Sequence, residues 1–341
     1  MVEQRKSAHG AKSAVQQHLV GEEEAGQRLD KLLGQLLPAV PRTHIFRLIR
    51  KGEVRVDGKR ASPERRVAAG ERVRVPPVRE RSETAQLVAS GGAARVPPAL
   101  IARVSAAIVH EDERLLVLDK PAGLAVHGGS GLSYGVIEAL RAARPQESLE
   151  LVHRLDRDTS GILLVARRSA ALRALHAMLR EGSVEKSYLA LLVGRWELGR
   201  KLIDLPLLTD ARVGGERTVR VGEGGKSART RFRLVQQFGA RASLVEATLE
   251  TGRTHQIRVH AAYCGHPVAG DLKYGDAAAN AALRELGVGR MFLHAHSVSF
   301  EWPQGAAESF SAPLPADLKG VLDALSLRAG GTRRRAGSPR A

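Results

Sequence analysis

The 341-residue chain has a single cysteine, Cys264, and aromatic residues make up only 4% of it, four of them tyrosines. One cysteine excludes an intramolecular disulfide and any zinc site built from several thiolates, and a chain without disulfides suits a reducing compartment. Cys264 itself is expected to be buried. No stretch approaches the roughly 18 apolar residues that cross a bilayer, and the opening MVEQRKSAHGAKSAVQQ lacks an apolar signal core. These absences predict a soluble, cytoplasmic protein. Acidic residues are also short in supply: Asp plus Glu number 36 against 53 Lys plus Arg, for a net charge of +17. The excess is mostly Arg, whose planar fork suits phosphate, so a polyanionic partner is expected. A GC-rich genome would enrich Arg everywhere, so the placement of the cations has to decide.

A chain of this length predicts two domains with a sizeable core. Residues 1–17 are polar and unpatterned, which predicts a flexible arm. A small module is expected over 18–77. Leu29, Leu32, Leu33 and Leu36 follow Arg28 at helical spacing and stop at Pro38. Thr43 can cap a second helix whose Ile45, Leu48 and Ile49 face inward, with Gly52 ending it. Glu53 to Val56 alternates with period two, Asp57-Gly58 makes a turn, and Arg72-Val73-Arg74-Val75 forms a second strand before Pro76-Pro77. Arg42, Arg47, Arg50, Lys51, Arg55 and Lys59 crowd the second helix and the hairpin. Such a cluster offers phosphates one basic surface, although any solvated helix face can look the same. The segments RLDKLL, PRTHIFRLIRKGEVRVDGK and AAGERVRV resemble the RNA-binding domain named after ribosomal protein S-four, the alpha-L motif. That resemblance implies that these six cations grip RNA.

Residues 78–103 are polar, rich in Gly and Ala, and without period, as a linker would be. A second domain is expected over 104–326. Ala107 to Val109 and Leu115 to Leu118 read as paired strands, with further strands at Ile162 to Val165, Leu189 to Val193 and Leu244 to Leu249. Helices are expected at Gly135 to Ala143, Ala170 to Arg180 and Leu318 to Leu325. The fold class is therefore α+β: a catalytic domain on a large mixed or antiparallel sheet, preceded by a small α+β RNA-binding domain. Residues 327–341 read as a flexible basic tail.

The most informative stretch is LVHRLDRDTSGILLVA, Leu151 to Ala166, where a polar turn interrupts two apolar strands. Arg154 and Asp156 lie two residues apart, so an extended segment projects both to one side, while Thr159, Ser160 and Gly161 shape the return. A structural salt-bridge turn fits this geometry as well as an active site does. HRLDRDTSG resembles the signature of the pseudouridine synthase family that includes the large-subunit ribosomal RNA enzymes. Further blocks of that family follow in order: KSY at Lys186 to Tyr188 and TGRTHQIRVH at Thr251 to His260. DKPAGLAVHGGSGLSYGVIEALR, AGDLKYG and FLHA extend the likeness across nearly all of residues 18 to 326.

The resemblance implies that Asp156 is the catalytic carboxylate, that Arg258 pairs with it and helps keep it charged, and that Tyr188 lies against the target uracil. It gives Arg154 the space a uridine leaves when it swings out of its stack, and implies 23S ribosomal RNA, or a pre-ribosomal particle, as partner. Arg253 competes with Arg258, and a solvent-facing strand arginine is the bland reading of either. Lys186 is expected to brace the site or a phosphate, and His153 to support the turn. Pseudouridine formation breaks the bond from ribose C1′ to uracil N1, turns the base and rejoins it through C5, with no redox change and no cofactor. One carboxylate can attack the sugar, attack the ring or help remove a ribose proton.

No metal is assigned. Asp158 is expected to bond the turn backbone rather than complete a metal-binding Asp-x-Asp, and His255 and His260, five apart, miss the helical zinc spacing. Gly128 to Gly131 lacks the Gly-Lys-Ser/Thr end of a nucleotide loop and is expected to line an RNA cleft. A non-catalytic RNA-binding or ribosome-assembly factor, a synthase acting on transfer RNA, and a nucleoside hydrolase are the competing readings. A monomer without a membrane or obligate protein partner is expected.

Overall fold

The computed structural model describes residues 15–37, 40, 42–77, 96–128, 134–210 and 218–335. The chain divides into two units, Met1–Arg95 and Val96–Ala341.

The first unit runs β1 (Gln16–Leu19), α1 (Leu29–Leu36), α2 (Arg42–Lys51), β2 (Arg55–Val56) and β3 (Arg72–Val75). β3 lies between β1 and β2, antiparallel to both. The leucine spacing of α1 does what a 3.6-residue period requires: Leu29, Leu32 and Leu33 bury against Ile45, Leu48 and Ile49 of α2 and against Val56, Val73 and Val75. Gly52 ends α2 at φ +74°, where a Cβ would meet Nε of Arg60 at 2.6 Å. The left-handed backbone favours glycine there, and the Arg60 side chain packs over the space a Cβ would take. Two expectations change. Gln16 and Gln17 pair with Val75 and Arg74 instead of belonging to a loose arm. Thr43 lies inside α2, which begins at Arg42.

The second unit contains α3 (Pro98–Ser105), β4 (Ile108–Glu111), β5 (Leu115–Lys120), α4 (Val136–Ala143), β6 (Glu150–Leu151), β7 (Ser160–Ala166), α5 (Ser169–Glu181) and β8 (Glu185–Val193). It continues with β9 (Lys201–Asp204), β10 (Leu207–Thr209), β11 (Val219–Val221), β12 (Arg229–Phe238), β13 (Ala242–Leu249) and α6 (Gln256–Tyr263). It closes with α7 (Ala277–Arg284), β14 (Leu293–Glu301), β15 (Ala307–Ser311) and α8 (Ala316–Arg335). A ten-stranded sheet has the order β4-β5-β7-β14-β8-β13-β12-β9, with β6 beside β7 and β15 beside β14. β14 runs parallel to β7 and antiparallel to β8, so the sheet is mixed and the class is α+β.

Strands β5 and β7 are buried on both faces. Leu116, Leu118, Leu163 and Val165 join Val104, Ile137 and Leu140 from α3 and α4 in one core. Leu115, Val117, Ile162 and Leu164 join Leu175 and Met178 of α5 in another. Two-sided burial is why LLVL and ILLV read as continuous apolar runs rather than alternation, and each such side chain contributes about 1.5–3 kcal/mol. Leu318, Val321 and Leu325 of α8 cover Leu191 and Leu244 of β8 and β13. At the β7–β14 contact Gly161 has φ +108°, and a Cβ there would sit 2.1 Å from the carbonyl oxygen of Ala295. Glycine lets the two strands meet, and the loop before β7 is thereby fixed beside β14 and β8.

The end of the expected linker, residues 98–103, belongs to the helix α3, which has proline at its start. Helix α8 continues past Ser326 to Arg335, so the expected tail is helical over that length. The rest of the arm, the linker over 78–95 and the last six residues lie outside the described residues. Among the described residues no helix is long and apolar enough to cross a membrane.

Candidate active site

Asp156 stands on the loop from β6 to β7, and its neighbours are anchored on both sides. Val152 and Leu155 are buried. His153 accepts a hydrogen bond at Nε2 from the Leu164 amide at 3.2 Å. The Arg157 carbonyl accepts from the Gly123 amide at 2.9 Å and from Nζ of Lys120 at 3.1 Å. Lys120 is fully buried, and its ammonium also bonds the Pro121 and Leu124 carbonyls. Burial pushes its pKa down to about 7. Held between these anchors, the Asp156 side chain is 18% exposed and lines a cavity of about 540 Å³.

The block TGRTHQIRVH supplies the facing wall through a loop and then helix α6. Gln256 is buried and fixes the loop. Its Oε1 accepts from Thr251 Oγ1 and the Arg253 amide, at 2.7 and 3.0 Å. Its Nε2 donates to the Arg229 carbonyl and Thr230 Oγ1, both at 2.9 Å. His255 precedes α6 at φ +55°. A non-glycine residue in the left-handed region costs about 1–3 kcal/mol and persists where its surroundings enforce it. Here the Nδ1 of His255 meets the Tyr274 hydroxyl at 2.8 Å, while its Nε2 lies 3.8 Å from Asp156 Oδ2. Burial lowers the His255 pKa.

Arg258, on the first turn of α6, joins two carboxylates. Its Nη1 donates to Asp156 Oδ2 at 3.0 Å, while Nε and Nη2 donate to Asp271 Oδ2 and Oδ1 at 2.6 and 2.9 Å. Asp271 is buried and also accepts from the Lys273 and Tyr274 amides. Burial works against both charges, but the paired bonds outweigh it: the Arg258 pKa is raised and that of Asp271 is held low. The Tyr274 ring lies 5.0 Å from the guanidinium, adding a cation–π contact.

Tyr188, on β8, completes the cavity. It sits between Ala247 of β13 and Ala295 of β14, whose small side chains leave its ring room. Burial, and next the charge of Asp156, push its pKa up, so the phenol stays neutral. Leu249, Ile257 and Leu293 supply apolar wall. A fixed carboxylate, a fixed guanidinium and an aromatic plate thus line one apolar-walled cavity, a set that can bind a flat polar ring and attack beside it.

A family model described as RNA pseudouridylate synthase matches residues 114–263, which span Asp156, Tyr188 and Arg258, and a model of the S4 domain matches residues 27–73. Ribosomal large subunit pseudouridine synthase C of Pasteurella multocida (strain Pm70) is 49% identical over 324 residues, covering 94% of this chain and 97% of that protein. The chain belongs to the RNA pseudouridylate synthase family. Another relative of the same name, from Escherichia coli (strain K12), is 50% identical over 307 residues, covering 89% of this chain and 94% of that one. Among solved structures, human RNA pseudouridylate synthase domain containing 4 superposes with a TM-score of 0.56 at 25% identity, covering 67% of this chain and 96% of that one. Human RNA pseudouridylate synthase domain containing 1 gives 0.51 at 29% identity, covering 64% and 94%.

In this synthase the competing arginines separate cleanly. Arg258 meets Asp156, whereas Arg253 turns its Nε to the Ser227 carbonyl at 2.9 Å and stays exposed at the rim. Arg258 lies on a helix, not on a solvent-facing strand. Arg154 is exposed at the mouth of the cavity. Arg47, Arg50, Lys51 and Lys59 are exposed, and Arg55 is half-buried, bonding the Gly58 carbonyl. The side chain of Arg42 and residues Gly129 to Gly131 lie outside the described residues. His260 is buried, with its ring nitrogens meeting Thr230 Oγ1 and the Leu205 carbonyl.

Other expectations need correction. Asp158 meets the Arg157 side chain at 3.3 Å rather than the turn backbone, because it points out to solvent. Cys264 is half-buried, at the end of α6. His255 belongs to the cavity wall and not only to the scaffold. Asp271, Tyr274 and Lys120 were not singled out from the sequence. AGDLKYG and DKPAGL carry them, and a charged residue inside such a block was the available signal.

Proposed function

We propose that the synthase converts uridines of the large-subunit (23S) ribosomal RNA to pseudouridine, with Asp156 as the catalytic residue. The observation that carries this reading is the 3.0 Å hydrogen bond from Arg258 to Asp156 inside a cavity shared with Tyr188. The names of the relatives, ribosomal large subunit pseudouridine synthases, support the choice of RNA.

The uridine leaves its stack, and Arg154 takes the vacated place with its planar guanidinium. The uracil lies on the neutral ring of Tyr188, a stacking plate rather than a phenolate base. Arg258 aims one Asp156 oxygen at the bound nucleoside, so the C1′–N1 bond breaks within reach of a carboxylate that can act on sugar or ring. The apolar walls hold the freed base while it turns and presents C5 to C1′. The proton leaves C5 and N1 gains one, so atoms balance without an added group. Cations of the S4 module hold the RNA backbone. Ribosomal RNA as substrate implies a cytoplasmic location.

Carbodiimide labelling and primer extension on 23S rRNA test the reading in a strain lacking this protein, complemented with wild type or Asp156→Asn. Pseudouridine stops restored by wild type alone are expected. Identical stops with both proteins would overturn the assignment, and restored sites confined to transfer RNA would move the substrate.

A further inference from the structure

The cavity is larger than a uracil ring needs. At about 540 Å³ it falls in the range of about 300–1,000 Å³ that holds a drug-sized molecule, which leaves room for more of the nucleotide. Lys186 reaches that space. It precedes Tyr188 by two residues on β8, so the two side chains leave the same face of the sheet, about 6.6 Å apart along the strand. Both line the cavity.

Lys186 is only 9% exposed, and among the described residues no carboxylate or carbonyl closes on its ammonium. Lys120 shows how this fold satisfies a buried lysine of its own, with three carbonyls converging on Nζ. Nothing comparable surrounds Lys186. Burial lowers its pKa with no acidic group offsetting the loss, and its charge in turn helps hold His153 neutral, after burial, with a pKa of about 4. A buried cation without an anion is costly, so the site favours an anion arriving from outside. Gly252 borders the ammonium: a Cβ there would lie 3.8 Å from Nζ, at ordinary contact distance. Arg180 of α5 stands exposed on the same cavity and adds positive charge at its mouth.

We propose that Lys186, with Arg180 at the entrance, binds one RNA backbone phosphate flanking the everted uridine, one strand repeat from the Tyr188 ring that carries its base. This rests on reading the cavity as the uridine site. The pairing fixes the nucleotide at two points, base and phosphate, so that C1′ is presented to Asp156 in one orientation.

The test uses the full-length enzyme and an RNA stem-loop containing a mapped target uridine, labelled with tritium at C5. One backbone linkage at a time on either side of the uridine is replaced by an uncharged methylphosphonate. For wild type, one linkage is expected to cost about 10- to 100-fold in kcat/KM, as loss of a charged hydrogen bond does. In Lys186→Met the same replacement is expected to cost less than about 2-fold, because the charge it would meet is gone, and Lys186→Arg is expected to keep the wild-type pattern. If Lys186→Met does not fold, Lys186→Gln carries the same comparison. Equal penalties in wild type and variant at every linkage would overturn the phosphate site while leaving the synthase reading intact. No tritium release by wild type from the unmodified stem-loop would overturn both.

Discussion

Asp271 grips Arg258 with both carboxylate oxygens, at 2.6 and 2.9 Å, from a position shut off from solvent, and Arg258 reaches Asp156 with its remaining nitrogen. The guanidinium fork is therefore oriented by a residue that does not touch the cavity. Arg258 is itself only 11% exposed, so removing Asp271 leaves a cation buried beside one carboxylate instead of two. Asp271→Ala is expected to lose about 3–5 kcal/mol of stability by urea unfolding, the cost of breaking a buried pair. Turnover, measured well below the melting temperature, is expected to fall about 100-fold as Arg258 loses its aim. Unchanged stability and turnover would show that Arg258 orients itself.

Tyr188 separates stacking from proton transfer. Its phenol is held neutral by burial and by Asp156, so the ring face is what it offers. Tyr188→Ala is expected to weaken RNA binding by about 1–3 kcal/mol, the usual worth of one stacked base, while Tyr188→Phe binds like wild type. Filter binding with catalytically silent Asp156→Asn as the background checks this. Weakening by Phe equal to that by Ala would assign the hydroxyl the larger part.

The exposed cations of the S4 module have a different signature. Arg47→Ala, Arg50→Ala and Lys51→Ala are each expected to weaken binding similarly for all sequences and to reduce the slope of log K against log salt by about 0.7–1. The rate at saturating RNA is expected to stay the same. A changed choice of uridine with an unchanged salt slope would contradict a backbone-gripping role.

The α+β class was legible because its signals are local, two-sided apolar runs such as those of β5 and β7, whereas the charged turn closed by Gly161 left a structural turn open and the family resemblance singled out Asp156. What escaped has tertiary causes. Asp271 shows its role only when it meets Arg258, whereas the Arg258–Asp156 pair, 102 residues apart, was expected from the family resemblance and not from spacing. α6 buries Gln256, Ile257, Val259, His260 and Ala261, which is too much of its circumference to show one apolar stripe. β1 is the opposite case, QQHL with mostly exposed residues, so backbone pairing with β3 makes a strand that carries no alternation. The turn that sets Asp271 is ordinary in sequence, and its function comes from the partner it finds.

Acid sensitivity is expected from His294. It is fully buried, with Nδ1 3.0 Å from Ser160 Oγ and Nε2 3.2 Å from the Ala312 carbonyl, and burial pushes its pKa down to about 4. The unfolded chain protonates its histidine near pH about 6.5, before the folded one does. Stability therefore falls as pH drops from there toward the folded pKa, by at most about 1.4 kcal/mol per pH unit for this one group. Urea unfolding at a series of pH values is expected to show a shallower slope in His294→Gln than in wild type. Identical slopes would mean that other groups carry the acid sensitivity.

Single-turnover tritium release from RNA carrying 5-tritiated uridine, with Asp156→Asn beside wild type, tests the central claim most directly. The variant keeps a hydrogen-bonding side chain of the same shape next to Arg258, so it is expected to fold and to bind RNA. Its release rate is expected to fall at least about 1,000-fold, as when a nucleophile is removed. Release within about 10-fold of wild type would be too fast for a protein that had lost its reacting group, and would contradict the role of Asp156.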